Sequence, residues 1–131
     1  MSADPLVPLS AALVDFWRER HLCSVTTLRA DGSPHVVPMG IALDPEHGLA
    51  WGITSGTSQK AANLRRGDRR VAVCQVDGRR WSTLEGVAEV LEDADTVAEA
   101  VRRYAERYRQ PRDNPARVAL RLRLTRVLGN V

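Results

Sequence analysis

The sequence predicts a mainly β fold with short helices, a small mixed barrel of six strands in one domain spanning residues 1–131. Three observations predict it. Apolar residues recur at every second position through several segments bounded by Gly, Pro, Asp and Asn, the pattern of strands with one buried face. Most of these segments are joined by tight turns and not by helices, which opposes a doubly wound parallel sheet. The chain has 131 residues, 44% hydrophobic and 27% charged, as a single globular domain with its own core requires.

The elements follow in order. Ser10 caps a first helix running to about Arg20, with Leu9, Leu13, Phe16 and Trp17 at helical spacing toward a core. The period then changes to two: Leu22 to Arg29 reads as a strand, closed by the turn Ala30-Asp31-Gly32-Ser33. His35 to Leu43 returns as the second strand, and Pro38 within it marks an edge, a bulge or a break facing a ligand, because proline donates nothing to a ladder. After Asp44-Pro45-Glu46-His47-Gly48 comes a third strand, Leu49 to Thr54. Ser58 to Arg66 forms a short helix closed by Gly67.

Arg70 to Val76 is the fourth strand, and Arg80 to Leu91 the fifth, bent at Gly86. Thr96 and Glu99 have the spacing of a capping box, opening a helix with Val97, Val101, Tyr104 and Tyr108 along one face. Arg117 to Val127 completes the barrel. Its even positions Val118, Leu120, Leu122 and Leu124 are apolar, while Arg121 and Arg123 point the other way.

Composition removes several classes of function. No apolar run reaches the ~18 residues of a membrane span, and Met1 to Ser10 has neither the basic start nor the apolar stretch of a signal peptide. Cys23 and Cys74 match no disulfide framework or metal-ligand spacing, so a cytoplasmic protein is expected. The net charge is +3, and Lys60 is the single lysine among eighteen arginines. These arginines are dispersed and not gathered into a block, so a small acidic ligand is expected before nucleic acid.

The sequence carries none of the common catalytic signatures. His21, His35 and His47 have no metal-ligand spacing, and there is no nucleophile elbow, Walker loop or carboxylate pair. No catalytic residue and no metal site are therefore assigned, and the chemistry is expected from a bound cofactor. The segment Thr54-Ser55-Gly56-Thr57-Ser58-Gln59-Lys60, with Asn63 beyond it, reads as a strand end, a close turn and a helix start carrying hydroxyls and a cation. That chemistry suits a phosphate, although an ordinary helix cap beside a surface lysine has the same local pattern. Ser33-Pro34-His35-Val36-Val37-Pro38-Met39 and Gln75-Val76-Asp77-Gly78-Arg79-Arg80-Trp81 are candidates to complete a cleft. Arg65, Arg66, Arg69 and Arg70 suit an acidic tail or solvated surface.

Together these segments carry a resemblance. Thr26 to Pro38, Thr54 to Asn63, Gln75 to Trp81, Leu84-Glu85-Gly86, and Arg103 to Arg109 followed by Pro111 and Asn114-Pro115 resemble, in order and spacing, the split-barrel oxidoreductases related to pyridoxamine 5′-phosphate oxidase. The likeness runs from about Ser10 to Gly129 and is strongest to the branch that uses the deazaflavin coenzyme F420. It implies a split barrel, a homodimer with the cofactor in a groove at the subunit interface, and hydride transfer to a conjugated substrate. Biliverdin reduction to bilirubin is the specific activity implied. Carried over by position, Thr54, Ser55, Ser58, Gln59, Lys60 and Asn63 hold the phosphate region. His35, Val37, Pro38 and Met39 line the ring or substrate side, and Gln75 and Trp81 face them. FMN is the alternative cofactor, and a protein that binds a cofactor, haem or bilin without turnover is the non-catalytic alternative.

Overall fold

The computed structural model describes residues 9–131; the leader whose lack of a signal pattern was read from sequence lies almost wholly outside them. The first helix, α1 (Ala11–Arg18), begins at Ser10, whose hydroxyl accepts the Leu13 N–H at 3.1 Å. Hairpin β1 (Cys23–Leu28) and β2 (Pro34–Met39) follows, with Gly32 in the left-handed region (φ +86°) at its turn. Then come β3 (Ala42–Asp44), β4 (Leu49–Ser55), α2 (Gln59–Arg65), β5 (Arg70–Asp77), β6 (Arg80–Leu91), α3 (Ala94–Arg107) and β7 (Arg117–Gly129).

The expected second strand, His35 to Leu43, is two strands, so the barrel has seven and not six. The break falls at Gly40 and Ile41, beyond Pro38. There Arg107 Nη1 donates to the Ile41 carbonyl (2.5 Å) and the Ile41 N–H donates to the Tyr108 hydroxyl (3.2 Å), so side chains take both groups that a ladder would use. Gly40 has no room for a Cβ, because one would meet the Tyr108 ring at 2.7 Å. A second correction concerns α3. Its N-cap is Asp93, which accepts the Thr96 N–H at 3.0 Å, and Glu99 pairs instead with Arg102 and Arg103. Thr96 with Glu99 is therefore not a capping box; the helix starts two residues before it.

All seven strands lie in one antiparallel sheet of order β2-β1-β5-β6-β7-β4-β3. The sheet curls so that its inner face meets itself: a Cβ on Gly52 of β4 would touch Met39 of β2 at 3.1 Å, although these strands share no ladder. This side-chain closure between two unladdered strands is the split in the barrel. The ladder of β6 and β7 shifts register between Glu85 and Gly86, the bend expected there.

Inside lie Val25, Ile41, Val73, Leu84, Leu120, Leu122 and Leu124, with Leu13, Trp17 and Leu64 from α1 and α2 packed among them. Each buried large side chain contributes roughly 1.5–3 kcal/mol. Helix α3 covers the outer face of β4 and β7, where Trp51, Ala100 and Ala119 form a second small core. The rest of the outer face is uncovered, and exposed Val36, Val76, Trp81 and Leu128 lie on it.

Candidate functional site

Helix α2 is fixed by polar contacts at both levels. Its cap Ser58 accepts the Ala61 N–H at 3.2 Å and donates its own N–H to the Ser55 carbonyl at 3.0 Å. The preceding Gly56 N–H is spent on the Ala116 carbonyl at 2.7 Å. The Gly56 and Ser58 N–H groups are thus committed inside the chain and are not offered to an anion.

Lys60 is the centre of the anion-binding capacity read from the sequence. It lies on the first turn of α2, half-buried, and among the described residues it has no carboxylate within ion-pair distance. Burial lowers its pKa, because removing water disfavours the charged form. An unpaired, partly desolvated ammonium is costly for a fold to keep without a ligand. One turn on, Asn63 is 1% exposed; its Nδ2 donates to Thr27 Oγ1 at 2.9 Å and its Oδ1 accepts from Gln59 Nε2 at 2.7 Å. Asn63 therefore positions the helix against β1, and both ends of its amide are used.

Across the hairpin, His35 stands directly opposite Thr27 in the β1–β2 register, with Val37 and Met39 on the same face. Pro38 faces the outside, opposite Ser24. The His35 Nδ1 is buried and has no hydrogen-bond partner. Burial first, then the charges of Arg29 and Lys60, lower its pKa, so the ring is neutral at neutral pH. His35, Thr27, Lys60 and Asn63 thus belong to one neighbourhood, built from β1, β2 and α2. Thr54 and Ser55 end β4, half-buried beside Val118 and Arg117 of β7, and Ser55 Oγ lies 3.4 Å from Thr57 Oγ1.

Besides the outward-facing Pro38, two candidates are not brought to this neighbourhood. Gln75 is 1% exposed in the core: Nε2 donates to the Phe16 carbonyl (3.0 Å) and Oε1 accepts from Arg107 Nη2 (2.6 Å). Its amide is satisfied by the chain and presents nothing to a ligand. Trp81 is on the uncovered outer face beside Val76. The arginines after Leu64 also divide. Arg65 donates to the Gly56 carbonyl and pairs with Glu92 (2.7 Å), and Arg70 pairs with Asp68 (2.9 Å), so neither is free for an acidic tail.

Two features escaped the sequence reading. Arg29 acts on His35, and its only signal was its place in the hairpin. Glu19, His21 and Asp77 converge from distant segments with ligand atoms within 4.8 Å. Arg80 donates to Glu19 at 2.7 and 2.8 Å and also to Asp77, so a guanidinium already supplies the positive charge a metal would bring.

The pyridoxamine 5'-phosphate oxidase family description matches residues 9–130, nearly the whole described chain. The chain belongs to this family. A family relative from Mycobacterium tuberculosis, the F420H(2)-dependent biliverdin reductase, is 52% identical over 122 residues, covering 93% of this chain and 88% of that protein. Among solved structures, a conserved hypothetical protein of M. tuberculosis superposes with TM-score 0.78 at 29% identity, covering 98% of this chain and 88% of that one. A protein described as an F420 reductase gives TM-score 0.72 at 24% identity over 93% and 98% of the two chains, a likeness of fold. The split-barrel fold expected from the sequence is the fold of the family.

Proposed function

We propose that this oxidoreductase of the pyridoxamine 5'-phosphate oxidase family uses reduced coenzyme F420 to reduce biliverdin to bilirubin. The observation that carries the reading is the 52% identity, across 93% of the chain, to a protein named for that activity. The site fits the cofactor's chemistry in two ways. Unpaired Lys60 suits a phosphodiester, and the orphaned Nδ1 of His35 leaves a hydrogen bond for an outside group to complete.

Bound F420H2 supplies the hydride; the protein's part is to hold and orient. Lys60, with Ser58, Gln59 and the hydroxyls of Thr54, Ser55 and Thr57, holds the phosphate end. Val37 and Met39 offer an apolar wall on the inner face of β2, where water is excluded from a conjugated ring. Solvent supplies the proton that accompanies the hydride.

The protein acts as a homodimer, paired through the uncovered sheet face that carries Val36, Pro38, Val76, Trp81 and Leu128. Pro38 and Trp81 then meet the cofactor groove from this interface and not from within one barrel. Two free cysteines suit the reducing cytoplasm, and no helix among the described residues is long and apolar enough to cross a membrane.

The test is a fluorescence titration with oxidised F420 and, in parallel, FMN, followed by turnover of biliverdin with F420H2. Tight F420 binding with bilirubin formation supports the reading. Preference for FMN moves the chain to the flavin branch, and F420 binding without turnover makes it a binding protein.

A further inference from the structure

His35 and Lys60 lie on different elements, β2 and α2, and each is incomplete within the chain. The His35 Nδ1 is, among the described residues, the only buried side-chain nitrogen or oxygen without a hydrogen-bond partner. Buried polar atoms are nearly always paired, so an orphan marks a place where a partner from outside belongs. Lys60 has no counter-charge among the described residues. The charged groups bearing on the ring are both cations, Arg29 from the end of β1 and Lys60 from α2. Asp31, the carboxylate of the adjoining turn, is engaged by the N–H (3.0 Å) and hydroxyl (2.6 Å) of Ser33.

We propose that His35 is the second arm of the Lys60 oxyanion site, and that its imidazole takes up a proton from solvent as an oxyanion binds. The proposal deepens the F420 reading and rests on it for the natural ligand. In the free protein, burial and the two neighbouring cations keep the ring neutral. An anion between the ring and Lys60 reverses that local field and gives a protonated Nδ1 its missing acceptor. The sign follows from linkage. The ring's midpoint is higher in the complex than in the free protein, so binding strengthens as pH falls between the two midpoints and levels off below the lower one. The shared ligand chemistry is an oxyanion, with two sources: the phosphodiester of F420 or the propionate carboxylates of a bilin.

The experiment follows the His35 ring C–H resonances by NMR from about pH 5 to 8, the range in which histidines titrate. It uses the whole chain in chloride, in sulfate at matched ionic strength, and with F420 or biliverdin added separately. Sulfate is the probe because it stays divalent throughout that range. The expected result is a His35 midpoint raised by about half a pH unit or more in sulfate, the size one neighbouring charge produces, and no rise in Lys60→Met. The resonances of His21 and His47 serve as controls in the same spectra. A rise with F420 and not biliverdin assigns the arm to the phosphodiester; a rise with biliverdin alone assigns it to the carboxylates. A midpoint unchanged by every ligand overturns the proposal, as does a rise that survives Lys60→Met. If F420 binds tightly while His35 does not move, the arm fails and the F420 reading stands. If sulfate lifts His35 but F420 does not bind, the arm stands and the F420 reading fails.

Discussion

Asn63 Nδ2 donates to Thr27 Oγ1 at 2.9 Å, joining α2 to β1 across a gap of 36 residues, with both side chains 1% exposed. The contact ties the helix that carries Lys60 to the strand that faces His35. Asn63→Ala leaves the Thr27 hydroxyl without its donor and Gln59 without its acceptor. The expected loss is about 1–3 kcal/mol, the cost of leaving a buried polar group unpaired. It is read as a lower denaturant midpoint at unchanged slope. F420 affinity falls with it, because Lys60 loses its fixed position. Full stability in the variant would remove Asn63 as the anchor of α2.

Lys60→Met separates binding from stability. The lysine's pKa is lowered in the folded protein by burial, so the unfolded chain holds that proton more tightly. The group therefore opposes folding at all pH values below its unfolded midpoint. Methionine keeps the stem and removes that cost, so the variant is expected to melt at the same temperature or higher. F420 affinity should drop at least about tenfold, as loss of a charge-assisted hydrogen bond of ~1.5–3 kcal/mol requires. A variant that binds F420 like the parent would refute the phosphate assignment.

Arg107 has a different place in the fold. Only 9% exposed, it donates to the Glu19 carbonyl (2.9 and 2.7 Å), the Ile41 carbonyl (2.5 Å) and Gln75 Oε1 (2.6 Å), and its guanidinium lies 5.2 Å from the centroids of both Trp17 and Tyr108. One planar fork thus joins α1, the break between β2 and β3, β5 and α3. Lysine has no fork to match these acceptors. Arg107→Lys is expected to destabilise by about 2 kcal/mol or more, since several buried acceptors are left unpaired together. Thermal unfolding measures this, and a change within error would show that the fork is dispensable.

These residues show what was legible in the sequence. The hairpins were, because period-two alternation and Gly turns are local signals: β1, β5 and β6 fall within a residue or two of where the pattern puts them. The break at Gly40–Ile41 was not, because its cause is Arg107 and Tyr108, about 66 residues away. The same reason explains Gln75 and Asn63. A polar amide next to a turn reads as a ligand group until its buried partners, Arg107 and Thr27, are known. Lys60 and Ser58 were legible because a helix cap followed by a cation is a local pattern. The orphaned Nδ1 of His35 had no signal in sequence at all.

Acid sensitivity follows from carboxylates with lowered pKa values. Arg80, then His21, pulls Glu19 from 4.5 to about 2, and Arg102 and Arg103 do the same to Glu99. Depressed values stabilise the fold above the unfolded midpoint, and that stabilisation is lost as pH falls toward the folded one. The melting temperature is expected to hold down to about pH 4.5 and to decline from there toward pH 2. Both side chains are partly exposed, Glu19 at 41% and Glu99 at 34%, so salt shrinks the effect. Arg80→Met should flatten part of the decline. An identical pH profile in that variant would place the acid-sensitive groups elsewhere.

The uncovered outer face decides whether the site is made by one chain or two. Along the sheet, Pro38 aligns with Ser24, Ser24 with Cys74, Cys74 with Thr83 and Thr83 with Leu128, while Val76 pairs with Trp81 at one end. No charged side chain interrupts that row. With exposed Val36, Val76, Trp81 and Leu128 around it, this uncharged row suits an interface, and a two-fold pairing would bring the same row from each copy together. Trp81, 38% exposed, sits where a partner would bury it. Trp81→Glu places a charge at one end of that contact at little cost to the barrel, since the ring lies outside the core. The parent is expected to sediment as a dimer and the variant as a monomer with unchanged far-ultraviolet circular dichroism. If the groove is shared between copies, the monomer also loses F420 affinity in the same titration. A variant that stays dimeric moves the interface to another face, and a monomer that keeps full affinity places the whole site within one barrel.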